Sequence, residues 1–176
     1  MDRRHLLITG LPGTGKTTLL VRLAHALADL RPAGFYTEEI RVNGVREGFR
    51  LVSLDGREGI LSRVDFRGTH RVGRYGVDIK GFESFLASLD LASYPSPLVF
   101  IDEIGKMECL SSGFVDLVRG LLDSGKTVVA TIAAKGEGLI AEVKGRGDCE
   151  LVEVTSTNRE RLPIELAARI RERSYP

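Results

Sequence analysis

The chain of 176 residues has no glutamine, two asparagines and two cysteines. Cys109 and Cys149 stand in no CxxC or Cys/His spacing. That removes the basis for a zinc site or a disulfide framework, and both read as reduced, packed thiols. His5, His25 and His70 are equally scattered and read as a strand flank, a helix face and a loop residue. No apolar run approaches the ~18–20 residues that span a bilayer. The apolar stretch after Met1, Asp2, Arg3 and Arg4 ends at Gly10, too short for a signal peptide, so a cytoplasmic protein is expected. Neither sign of charge is in excess, with 25 basic and 24 acidic residues and a formal charge of +1. Nucleic acid or an anionic membrane therefore has no general electrostatic claim as a partner. Scarce amides are a feature of heat-adapted proteins, although the Lys/Glu enrichment that is the broader signal is missing. With 19 Arg to six Lys, a GC-rich coding sequence explains the bias as well.

What is present is an alternation of two periods. Arg4 to Thr9 is a short apolar run ending at glycine, a buried strand. From Lys16, Leu20, Leu23, Leu27 and Leu30 recur at helical spacing, and the helix ends near Arg31-Pro32. Period two then takes over. Gly34 to Val42 and Val45 to Leu54 flank Asn43-Gly44, a hairpin turn whose residues tolerate positive φ. Asp55-Gly56 leads into a third strand from Gly59 to Val64. The glycine- and arginine-rich stretch from Arg67 to Lys80 reads as an exposed loop, followed by a helix over Gly81 to Leu91. Apolar strands at Pro97–Ile101, Thr127–Ile132 and Glu150–Val154 then alternate with helices at Phe114–Leu122, Glu137–Lys144 and Asn158–Arg173. This predicts one α/β domain over residues 1–176. It has a mostly parallel sheet covered by helices on both faces, and an antiparallel hairpin insertion at about 34–64.

Gly10-Leu11-Pro12-Gly13-Thr14-Gly15-Lys16-Thr17 matches GxxxxGK[ST], the Walker A pattern of a P-loop, between a predicted strand and a predicted helix. Glycines let successive N–H groups point inward at phosphate oxygens, and the helix N-terminus adds its unsatisfied donors and positive dipole end. Lys16 supplies a mobile charge to the β- and γ-phosphates, Thr17 a hydroxyl for Mg²⁺, and Thr18 an α-phosphate contact. These residues bind a nucleoside triphosphate but do not by themselves hydrolyse it.

Leu98-Val99-Phe100-Ile101-Asp102-Glu103 places a carboxylate at the C-terminal edge of a buried strand, where open α/β sheets bind ligands. Asp102 reads as the Walker B residue that holds Mg²⁺ through a water. Glu103 is either the group that orients or deprotonates the attacking water or an exposed glutamate in a turn. The catalytic reading is preferred, because the pair resembles that of P-loop ATPases of the RecA/AAA+ type. Lys106 and Glu108 have weaker claims. Thr131 faces either the γ-phosphate or the core. Thr155 to Arg159 caps a helix or walls the base. Arg63, Arg67, Arg71 and Arg74 form either a solvated loop or a lid, over about 63–80, that delivers an arginine to the γ-phosphate. Of Glu38 and Glu39, alternation predicts that one faces the ligand.

GLPGTGKTT, GFYTEEIR, RYGVD, LVFIDEIGKME and TSTNRERLP occur in that order. Together they resemble the thermophilic P-loop nucleoside-triphosphatase family, whose animal member is called cancer-related nucleoside-triphosphatase. The resemblance extends over nearly the whole chain. It implies a small RecA-like domain that hydrolyses ATP, GTP and other nucleoside triphosphates slowly, with Mg²⁺, to diphosphate and phosphate. It also carries Gly10 to Thr17 and Leu98 to Gly105, including Ile104, over as nucleotide-binding. The alternatives are a nucleotide, nucleoside or small-molecule kinase, and a nucleotide-dependent switch. Oligomeric state is left open, with a monomer the simplest expectation.

Overall fold

The computed structural model describes residues 3–174, and side chains to residue 173. Met1 and Asp2, the start of the segment weighed as a leader, lie outside the described residues. No helix among the described residues is long and apolar enough to cross a membrane.

The elements follow the expected order. Strand β1 (His5–Thr9) leads through the glycine loop into α1 (Lys16–Ala26), after which β2 (Ala33–Val42), β3 (Val45–Ser53) and β4 (Glu58–Arg63) form the meander. Two short strands, β5 (Arg71–Val72) and β6 (Tyr75–Val77), precede α2 (Ile79–Leu89). The chain then alternates through β7 (Leu98–Ile104), α3 (Ser112–Asp123), β8 (Thr127–Ile132), α4 (Leu139–Lys144), β9 (Cys149–Glu153) and α5 (Leu162–Ser174). Asp78 and Ser111 start α2 and α3 by accepting from the N–H groups of Gly81 (2.9 Å) and Phe114 (3.0 Å), relieving part of each helix's unpaired N-terminus.

The nine strands of the described residues join one sheet, in the order β5-β6-β4-β3-β2-β7-β8-β1-β9. The strands from β2 to β9 in that order pair in parallel, and those from β2 to β5 pair antiparallel. Strand β2 belongs to both halves. Its first residues, Ala33 to Phe35, pair with β7, and from Phe35 onward it pairs with β3. The antiparallel half is thus a continuation of the core sheet and larger than the hairpin insertion expected.

Alternation along the apolar strands builds a core on each face. Leu6, Ile8, Leu98, Phe100 and Val129 pack with Leu20 and Leu23 of α1 and with Leu166 and Ile170 of α5. Leu7, Val99, Ile101 and Val128 pack on the other face with Phe82, Phe114 and Val143 from α2, α3 and α4.

The stretch from Arg67 to Lys80 differs from the expectation of an exposed loop. Tyr75, Gly76 and Val77 are buried, and β6 pairs with β4. Only three residues are buried there, amid glycine and arginine, so no period emerges. The last helix also starts later than Asn158, because Asn158 accepts from Thr155 N–H (2.8 Å) and donates to Glu153 O (2.9 Å), forming a turn instead.

Candidate functional site

Positive φ angles at Gly10 (149°), Gly13 (78°) and Gly15 (97°) curl the chain between β1 and α1. A Cβ at Gly10 would lie 2.7 Å from Val154 O, so only glycine fits. Thr14 closes the loop, its hydroxyl donating to Leu11 O at 2.8 Å. Helix α1 receives no side-chain cap, so its first N–H groups remain available to an anion. Lys16 Nζ spans the loop, donating to Gly10 O (3.1 Å) and Leu11 O (3.3 Å).

The loop forms one wall of an open cleft of about 870 Å³. Gly10, Leu11, Pro12, Gly13, Gly15, Lys16, Thr17 and Thr18 all line it, and Glu103 faces them. Leu98, Val99, Phe100, Ile101 and Ile104 are instead fully buried in the two cores. Their part is to carry the acidic pair to the strand end.

Asp102 is 1% exposed, and hydroxyls from three elements converge on it. Its Oδ2 accepts from Thr17 Oγ1 (2.9 Å), Thr37 Oγ1 (3.0 Å) and Thr37 N–H (3.1 Å). Its Oδ1 accepts from Thr131 Oγ1. Because β8 lies between β1 and β7 in the sheet, the end of β8 reaches the carboxylate, and Thr131 serves Asp102 from the core. A hydroxyl and a carboxylate side by side are the hard oxygen donors that Mg²⁺ prefers. Among the described residues no group of three or more His, Cys, Asp or Glu could hold a metal ion. The pair fits a hard divalent cation such as Mg²⁺.

Glu103 is half-buried on the cleft wall. Burial, and then the neighbouring Asp102 carboxylate, pushes its carboxyl above the usual range, while Lys16 pulls it down. Glu108, in the turn after β7, is 6% exposed, and burial pushes its carboxyl up to about 8. Gly105 lets the two acids approach, since a Cβ there would lie 2.9 Å from Glu108 Oε2 and 3.3 Å from Glu103 Oε1.

Of the four arginines weighed for a lid, Arg63, Arg67, Arg71 and Arg74, none is among the residues lining this cleft. Arg63 pairs with Asp65 (2.9 Å). Arg71 donates to Phe66 O (3.0 Å) and Arg74 O (2.6 Å), and Arg74 donates to Arg46 O. The arginine on the cleft is Arg46, held by Glu39 (3.0 Å) and Tyr75 Oη (2.8 Å) and stacked over Phe49. Glu38 and Glu39 both line the cleft. The turn at 155–159 lies against the glycine loop, with Arg159 Cδ 4.0 Å from the Cβ position of Gly15. Thr37, Arg46 and Lys135 were not anticipated. Thr37 is the first polar side chain after Ala33 to Tyr36, and Lys135 is the first charge after β8, signals too common to weigh alone.

A family model described as NTPase matches residues 5–167. The chain belongs to the NTPase family. The nucleoside-triphosphatase THEP1 of Thermotoga sp. (strain RQ2) is 44% identical over 162 residues, 92% of each chain. The human cancer-related nucleoside-triphosphatase is 41% identical over 175 residues, which cover 90% of this chain and 92% of the relative. The crystal structure of THEP1 from the hyperthermophile Aquifex aeolicus superposes with a TM-score of 0.84 at 34% identity, covering 94% of this chain and 98% of that one. The family member therefore carries a P-loop NTPase fold, with the five parallel strands extended by the antiparallel half.

Proposed function

We propose that the cleft binds nucleoside triphosphates with Mg²⁺ and hydrolyses them to diphosphate and phosphate. One observation carries this reading: Glu103 lines the same cleft as Lys16, one residue beyond a buried aspartate bonded to the P-loop threonine. The curled loop and the start of α1 direct backbone N–H groups at the β- and γ-phosphates, and Lys16 leaves its carbonyls to meet the charge developing on the γ-phosphate. Thr17 and Asp102 would hold Mg²⁺, which would supply charge neutralisation to the phosphates. Glu103 orients the attacking water and accepts its proton. Phosphate contacts are common to all triphosphates, which supports acceptance of ATP, GTP and other bases. Two free thiols support a cytoplasmic setting.

The test is phosphate release from ATP, GTP, CTP and UTP, with Mg²⁺ and with chelator. Mg²⁺-dependent release from more than one is expected; no release from any would overturn the assignment.

A further inference from the structure

A second cavity of about 280 Å³ adjoins the phosphate cleft. The two share Thr37, Phe49, Glu103 and Ala133, so they meet at the residue proposed to handle the nucleophile. Beyond that junction the walls turn apolar, with Leu61 from β4, Val72 from β5 and Met107 from the turn after β7. Water needs no such chamber. Its polar side chains are few: Thr37 and Glu103, which it shares with the phosphate cleft, buried Glu108, and exposed Lys106. The Glu103 carboxylate at the junction disfavours an anionic ligand, and the apolar walls favour one with a hydrocarbon body.

We propose that this cavity is an acceptor site for small, uncharged alcohols with an apolar body, to which the enzyme transfers the γ-phosphoryl group in competition with water. The apolar body lies among Phe49, Leu61, Val72 and Met107, and the hydroxyl points through the junction toward the γ-phosphate. Glu108, protonated near neutral pH, donates its O–H to the hydroxyl oxygen as the ligand seats. In the transfer, the hydroxyl oxygen bonds to the γ-phosphorus. The bond from that phosphorus to the β,γ-bridging oxygen breaks, and its electron pair leaves on the nucleoside diphosphate. The hydroxyl proton passes to the Glu103 carboxylate and then to solvent. The products are a phosphate monoester and a nucleoside diphosphate. The proposal rests on the hydrolytic reading, because it gives Glu103 the same task toward a different nucleophile.

The test has two arms on the full chain. In the first, ¹⁹F line broadening of 4-fluorobenzyl alcohol is followed on addition of protein without nucleotide. In the second, ATP and Mg²⁺ are incubated with benzyl alcohol, 2-phenylethanol, cyclohexylmethanol and 3-methylbutanol, and monoester and inorganic phosphate are both quantified. Broadening and monoester formation are expected. Val72→Trp, which fills the cavity from β5, should lower the ratio of monoester to phosphate at least tenfold and reduce the broadening. If Val72→Trp fails to fold, the wild-type arms still decide. Phosphate release without monoester from any alcohol overturns the acceptor site and leaves hydrolysis standing, even if the fluoro-alcohol binds. An unchanged product ratio in folded Val72→Trp also overturns it. Absence of both products overturns the hydrolytic reading itself.

Discussion

The two halves of the sheet are built by different rules, and the difference separates phosphate chemistry from its surroundings. In the parallel half, β1, β7 and β8 are apolar runs buried on both faces, and every one of them ends at the phosphate cleft or its carboxylate. Antiparallel β3 and β4 are only partly buried, and exposed ion pairs tie β3 to its neighbours, Arg50 to Glu38 of β2 (2.5 Å) and to Glu58 of β4 (3.7 Å). A fully buried strand places its last side chain by close packing, whereas half-solvated strands can vary their outward residues at little cost. The acidic pair Asp102 and Glu103 therefore sits on the first kind of strand, and the cleft-lining Arg46 and Phe49 sit on the second.

Substitutions can break that contrast, beginning with the largest effect. Lys16→Ala removes the P-loop charge proposed to meet the β- and γ-phosphates. Turnover should fall by about 10² or more, with triphosphate binding by calorimetry strongly weakened. Asp102→Ala should destabilise as well as inactivate, because donors from Thr17, Thr37 and Thr131 lose their acceptor. Only the Thr131 donor is buried, since Thr17 and Thr37 line the open cleft. One unsatisfied buried donor costs about 1–3 kcal/mol, and denaturant unfolding should report a loss of that size.

Glu108→Gln should act in the opposite direction and with a pH dependence. The folded protein holds the Glu108 proton up to about pH 8, against 4.5 ordinarily. The associated stability is therefore present below pH 4.5 and is lost as pH rises through 8. The amide has no proton to lose, so the variant should gain on wild type progressively from pH 5 to 8. The gain should level off above that, at a few kcal/mol in thermal or denaturant unfolding. Arg50→Ala, in the antiparallel half, removes only exposed ion pairs. It should change stability by about 0–1 kcal/mol and leave phosphate release near wild type. A loss comparable to that of Asp102→Ala would show the halves to be less distinct than their construction suggests.

Legibility in the sequence follows the same division. The glycine loop, β1, β7 and β8 could be read within a residue or a few, because continuous apolar runs and a fixed glycine spacing are local signals. The partners of Asp102 could not, since Thr37 and Thr131 are 65 and 29 residues away from it and meet it only through strand order. Arginine content drew attention to residues 63–74, yet the cleft received Arg46 from the neighbouring strand. The buried β6 was hidden by its brevity, and the cavity beside Glu103 has walls from β3, β4 and β5 that no single segment announces.

The central claim is that Glu103 activates the attacking water and does not merely bind nucleotide. A single-turnover measurement of phosphate release by Glu103→Gln, paired with a Kd for a non-hydrolysable triphosphate with Mg²⁺, tests it most directly. Release at least about 10²-fold slower, with Kd within about threefold of wild type, is the expected result. Release at the wild-type rate would contradict the role given to Glu103.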